Sequence, residues 1–138
     1  MMAGIRGKNT KPEILLRKAL HRRGFRYGLH CADVPGRPDL VFRSRRAVIF
    51  VHGCFWHGHD CRFFRLPGTR PDFWRAKIDS NRRRDLVVAE QLRAGGWRQL
   101  VIWECAIRGQ SEKMVVRIFD RAEVWLESRR RVMEIRGR

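Results

Sequence analysis

Apolar residues crowd one stretch of the chain. Residues 48–51, Val-Ile-Phe-Val, form the continuous apolar run of a buried strand. The run breaks at Gly53 into a loop that carries Cys54, Phe55, Trp56, His57, His59 and Cys61. Upstream, residues 39–42 form a second strand, Arg43-Ser-Arg-Arg46 a basic turn, and residues 47–52 the returning arm of a hairpin. Thr10-Lys-Pro-Glu13 has the form of a helix start, with Thr10 as cap and Glu13 completing a capping box. That helix runs to about Arg23 and stops at Gly24, with Leu15, Leu16, Ala19 and Leu20 as its apolar stripe. Residues 25–29 read as a short strand.

Downstream, a long helix spans residues 71–94 and ends at Gly95-Gly96. Ile78, Ala89 and Leu92 share one sector of its wheel, and Trp74, Asn81 and Asp85 fall in or beside that sector. Residues 97–103 form a further strand. Residues 112–131 make a final amphipathic helix, and residues 132–138 a basic tail behind a single domain over 1–131. The order of helix, strands, helix, strand and helix predicts an α/β fold, a mixed β-sheet flanked by helices.

Charge changes the picture. The 138 residues carry 31 Lys plus Arg against 14 Asp plus Glu, a net charge of +17, and 26 of the basic residues are Arg. Arginine's planar fork suits phosphate, so the balance points to a polyanionic partner, nucleic acid. An apolar content of 43% argues against a disordered basic chain. No apolar window is long enough to span a membrane. The first residues have no apolar signal core, so a cytoplasmic protein is expected. In a reducing compartment four cysteines read as metal ligands or core residues.

Cys54, His59, Cys61 and Cys105 form a candidate tetrahedral Zn²⁺ set, with His57 as a competing ligand and Cys31 as a plain thiol. Pro38-Asp39 opens one hairpin arm, where nucleases of the PD-(D/E)xK type place a divalent-metal ligand. The other arm presents Phe50, Val51 and His52, so Phe stands for the acid and His for the lysine. A carboxylate beside a histidine can still hold Mg²⁺ at a phosphodiester.

Residues 35–41, the 48–61 stretch, Phe73-Trp74, Lys77-Ile78, residues 81–85 and residues 101–106 together resemble the very short patch repair (Vsr) endonucleases, in unbroken order over 2–108. The resemblance implies a restriction-endonuclease-like fold with a structural zinc site. It implies a DNA mismatch nickase that cuts 5′ of the T in T·G mismatches left by deaminated 5-methylcytosine. Asp39 becomes the Mg²⁺ ligand with the backbone carbonyl of Val51, His57 the general base and His52 a partner at the scissile phosphate. Glu13 and Asp85 become supporting carboxylates, and Cys54, His59, Cys61 and Cys105 the zinc ligands. Phe55, Trp56 and Trp74 become wedges in the base stack, Lys77 and Asn81 face the mismatched bases, and Met2 and Ile5 insert from the minor groove. Double-stranded DNA is the expected partner of a monomer, with a functional link to a cytosine-5 DNA methyltransferase. The alternatives are a related nickase with another target and a zinc-stapled DNA-binding module without catalysis.

Overall fold

A computed structural model describes residues 9–137. Five strands form one sheet in chain order: β1 (Gly28–Leu29), β2 (Leu40–Phe42), β3 (Ala47–His52), β4 (Arg98–Trp103) and β5 (Val132–Ile135). The β1, β2 and β3 pairings are antiparallel, whereas β3, β4 and β5 run parallel. Parallel neighbours require crossovers, and the helices α2 (Pro71–Ala94) and α3 (Glu112–Leu126) supply them; α1 (Lys11–Arg22) precedes the sheet.

The alternation of the strands sorts the core into two layers. Leu40, Phe42, Ala47, Ile49, Leu100, Ile102 and Ile135 face one side and pack on Leu16 and Leu20 of α1 and on Ile118, Ala122 and Trp125 of α3. Val41, Val48, Phe50 and Val101 face the other side, against Val88 and Leu92 of α2. The result is the expected α/β fold, a mixed sheet flanked by helices. Leu100 is wholly buried at its centre, where truncation to Ala would cost about 2–5 kcal/mol.

Three boundaries differ from expectation. The strand expected over 25–29 shrinks to Gly28–Leu29, because the Phe25 N–H is spent on Leu20 O at 3.0 Å, closing α1 around the left-handed Gly24. The last helix ends at Leu126 rather than near 131: Arg98 reaches over and donates to the carbonyls of Trp125 and Leu126, capping the helix where it stops. The expected tail over 132–138 is a correction. Val132–Ile135 pairs with β4 as a fifth strand and buries Ile135 completely. The basic residues around it masked a short alternating pattern that a sheet edge can accept.

β3 and β4 end side by side, with His52 paired to Trp103. Ligands of α/β sheets bind beyond the carboxyl ends of parallel strands. Everything chemically reactive in the 48–61 stretch lies at that edge. Among the described residues, no helix is long and apolar enough to cross a membrane.

Candidate active site and metal centre

A cleft of about 590 Å³ opens at the carboxyl ends of β3 and β4. Asp39, Val51, His52, His57 and Asp85 line it, and Phe55 and Trp56 stand on its wall. The hairpin register sets Asp39 one residue ahead of the Leu40–Ile49 pair, so its side chain meets the end of β3. There Asp39 Oδ2 accepts the Val51 backbone N–H at 2.6 Å. Burial pushes the Asp39 carboxyl up to about 8; the Val51 N–H opposes the shift and the Glu13 charge adds to it. A buried carboxylate beside a second one is stabilised in its charged form by a cation.

Glu13 is buried at the start of α1. Thr10 Oγ1 accepts the Glu13 N–H at 3.4 Å, as the capping box requires, but the Glu13 carboxylate reaches past the cap to the Asn9 N–H at 2.8 Å. Its other oxygen takes Arg17 at 3.0 Å. Half of the capping box thus has a second use at the site.

His57 Nδ1 lies 2.6 Å from Asp85 Oδ2. A carboxylate only accepts, so Nδ1 carries the proton and Nε2 is left with its lone pair. The ring of His52 stacks on that of His57 at 3.8 Å, between Phe50 and Trp103. Desolvation, and then the neighbouring His57, hold His52 well below the ordinary histidine range, so it is neutral in this stack. Two imidazolium rings face to face would repel; a neutral His52 avoids this.

The second centre lies behind this wall. Cys54, His59, Cys61 and Cys105 bring four ligand atoms within 4.8 Å of one another. Cys105 Sγ is 3.6 Å from His59 Nδ1. Ligand atoms of a tetrahedral zinc with bonds of about 2.0–2.3 Å lie about 3.5–3.8 Å apart, so the set fits the ion. His57, the competing candidate, points to Asp85 instead. Burial pushes the Cys54 and Cys105 thiols up, and a cation among them would favour the thiolates. Glu104 Oε1 holds the Cys54 N–H at 3.1 Å.

A family model described as DNA mismatch endonuclease Vsr matches residues 1–63. The chain is 52% identical over 107 residues to the type II nicking enzyme V.XorIIP of Xanthomonas oryzae pv. oryzae, covering 78% of this chain and 79% of that protein. It is 41% identical over 125 residues to the DNA mismatch endonuclease Vsr of Escherichia coli (strain K12), covering 91% and 80%. The chain belongs to the Vsr family. A third member, the type II nicking enzyme V.NmeAIP of Neisseria meningitidis, is 40% identical over 111 residues, covering 80% and 79%.

The aromatics beside the cleft form one cluster. Phe55, Trp56 and Trp74 are half-buried, and their rings meet edge to face at 5.1–5.8 Å. Phe64 stacks on Phe55 at 6.1 Å, and Phe73 stands 44% exposed beside Trp74. Gly58 takes a positive φ of 62°, and a Cβ there would sit 2.6 Å from Ile78 Cγ2 on α2. Only glycine lets the loop lie that close to the helix.

Asn81 lines the cleft, is largely buried, and donates from Nδ2 to Trp56 O at 2.9 Å. The apolar sector of α2 that carries Ile78 turns it inward, where its amide can hold a loop carbonyl. Lys77 is half-buried one turn beyond Trp74. Met2 and Ile5 lie outside the described residues.

Four contributors were not legible in the sequence. Glu104 braces the zinc loop from β4's end. Gly137 donates its N–H to Cys105 Sγ at 3.3 Å, while Arg136 holds Asp60 O, so the strand β5 delivers the chain end to the zinc cluster. His30 stands against Glu13 and Asp39. An i to i+3 or i+4 spacing would have flagged none of them, because each contact spans separate elements.

Proposed function

We propose that this Vsr family member is a Mg²⁺-dependent DNA mismatch endonuclease, nicking one strand 5′ of the T in T·G mismatches left by deaminated 5-methylcytosine. The observation that carries the reading is one cleft in which Asp39 and the His57–Asp85 pair open beside an aromatic rim. The E. coli relative described as a DNA mismatch endonuclease and the relatives described as type II nicking enzymes support it.

The residues divide the work. His57, with Nδ1 held by Asp85, accepts at Nε2 the proton of the attacking water. Neutral His52 offers a hydrogen bond at the scissile phosphate. Asp39, with the Val51 carbonyl and support from Glu13, would hold Mg²⁺, which neutralises charge on phosphate oxygens when bound. Arg37 and Arg84 on the cleft wall add fixed positive charge for the backbone. Phe55, Trp56 and Trp74 unstack bases, at a cost of a few kcal/mol per step that is lowest at a mismatch. Zn²⁺ in the Cys54, His59, Cys61 and Cys105 set staples the loop that carries these groups.

On this reading the protein acts as a cytoplasmic monomer on double-stranded DNA, downstream of a cytosine-5 DNA methyltransferase. A related nickase with another target is the second reading, favoured by the 52% identity to a relative described as a nicking enzyme. Strand-resolved cleavage of T·G duplexes in varied flanking sequence, with matched controls, tests both.

A further inference from the structure

The proposed reaction leaves His21 and His30 unused, and of the two His30 is the one beside the Glu13 and Asp39 carboxylates. It follows β1 and sits at a positive φ of 49°, a conformation that costs a non-glycine residue energy and recurs at functional sites. Its N–H bonds to Asp39 O at 3.4 Å, so the β1–β2 ladder itself sets its place. The left-handed turn brings Nε2 to 2.9 Å from Glu13 Oε2 and 3.5 Å from Asp39 Oδ1. Despite these short distances Nε2 makes no hydrogen bond: the carboxylates converge on it off the line of an N–H donor. Asp39 Oδ2 is already occupied by Val51, which leaves Oδ1 as the oxygen facing His30.

We infer that His30 Nε2 is a direct ligand of the divalent cation, completing with Asp39 and Glu13 a mixed nitrogen and oxygen site. Adjacent ligand atoms around an octahedral ion with bonds of about 2.1 Å lie about 3 Å apart, close to both separations. A lone pair on Nε2 aimed between two buried carboxylates is what a cation needs, and it explains a close approach without a hydrogen bond. The nitrogen donor also sets a preference: it strengthens binding of Mn²⁺ and Co²⁺ relative to Mg²⁺, which favours oxygen. The inference rests on the proposed nuclease reading and adds to it a ligand and a metal preference.

The test uses zinc-loaded full-length protein with a T·G duplex whose scissile phosphate is made uncleavable. Mn²⁺ binding is followed by calorimetry, and the bound ion by electron-spin-echo modulation. The wild-type spectrum shows coupling to a directly bound ¹⁴N, which disappears in His30→Gln. The same variant loses about tenfold or more in Mn²⁺ affinity, and less in Mg²⁺ affinity. Independently of that variant, the coupling persists in His52→Gln and in His57→Gln; its loss in either overturns the assignment. Mn²⁺ that binds in an Asp39-dependent way without nitrogen coupling, or with coupling that survives His30→Gln, overturns His30 as ligand and leaves the nuclease reading standing. Absence of any Asp39-dependent Mn²⁺ or Mg²⁺ binding overturns both.

Discussion

His57 donates from Nδ1 to Asp85 Oδ2 over 2.6 Å, and this bond decides which ring nitrogen can take a proton. Asp85→Asn would present an amide N–H to Nδ1 and drive the imidazole proton onto Nε2, where it blocks the base. The variant should lose cleavage rate as His57→Gln does, by roughly 10²–10⁴-fold, with duplex affinity unchanged. Single-turnover cleavage alongside equilibrium binding checks this. Full activity in Asp85→Asn would remove His57 as the base.

Asp39 gives the protein a pH signature in magnesium-free buffer. Its carboxyl titrates at about 8 in the folded chain against an ordinary 3.8, because burial outweighs the Val51 hydrogen bond. Between those values the folded state keeps a proton that the unfolded chain has released. Stability from this group is therefore full below pH 4, falls as pH rises, and is lost above about 8. Asp39→Asn removes the dependence, so its melting temperature should gain on the wild type from pH 5 to pH 8. Thermal unfolding of the two zinc-loaded proteins across that range measures it; parallel curves would contradict it.

The zinc set makes a folding prediction. Cys61→Ala or Cys105→Ala should release stoichiometric zinc and leave an unfolded or insoluble chain, because structural zinc contributes folding energy directly. Gly137→Ala should loosen zinc more gently, since its new methyl would fall 2.0 Å from Cys105 O and push the chain end off the cluster. Metal analysis of the soluble fractions reads both, and wild-type protein without zinc would end the assignment.

The aromatic cluster separates wedge from core. Trp56→Ala or Trp74→Ala should weaken T·G duplex binding by about 1–3 kcal/mol and matched duplex by less. Asn81→Ala should follow in the same direction although Asn81 is largely buried, because it removes the donor that now holds the Trp56 carbonyl. Equal losses on both duplexes would assign the tryptophans to the core.

Much of this arrangement is legible in the sequence. The hairpin, both crossover helices and β4 follow from alternation and helical period, since each element spans enough residues for its pattern to dominate. The zinc set was legible because three of its ligands lie within eight residues. His30 and Glu104 were not, since their partners come from other elements. β5 was missed because four residues between arginines carry too little apolar signal, and its stability comes from pairing with β4. The helical wheel gives the face of α2 that Asn81 shares with Ile78, but not the bond it makes to the neighbouring loop.

Cleavage of DNA at the cleft around Asp39 can be measured directly. Zinc-loaded wild-type protein and Asp39→Ala are incubated with strand-labelled T·G and matched duplexes, in Mg²⁺ and without it. Wild type should make a single nick 5′ of the mismatched T, and only in Mg²⁺. Asp39→Ala should make no nick and keep its zinc and its mismatch binding, because Asp39 stands on β2's approach and the zinc ligands follow β3 and β4. Wild-type protein that binds the T·G duplex but cuts neither strand in Mg²⁺ would contradict the account and leave a zinc-stapled DNA-binding module in its place.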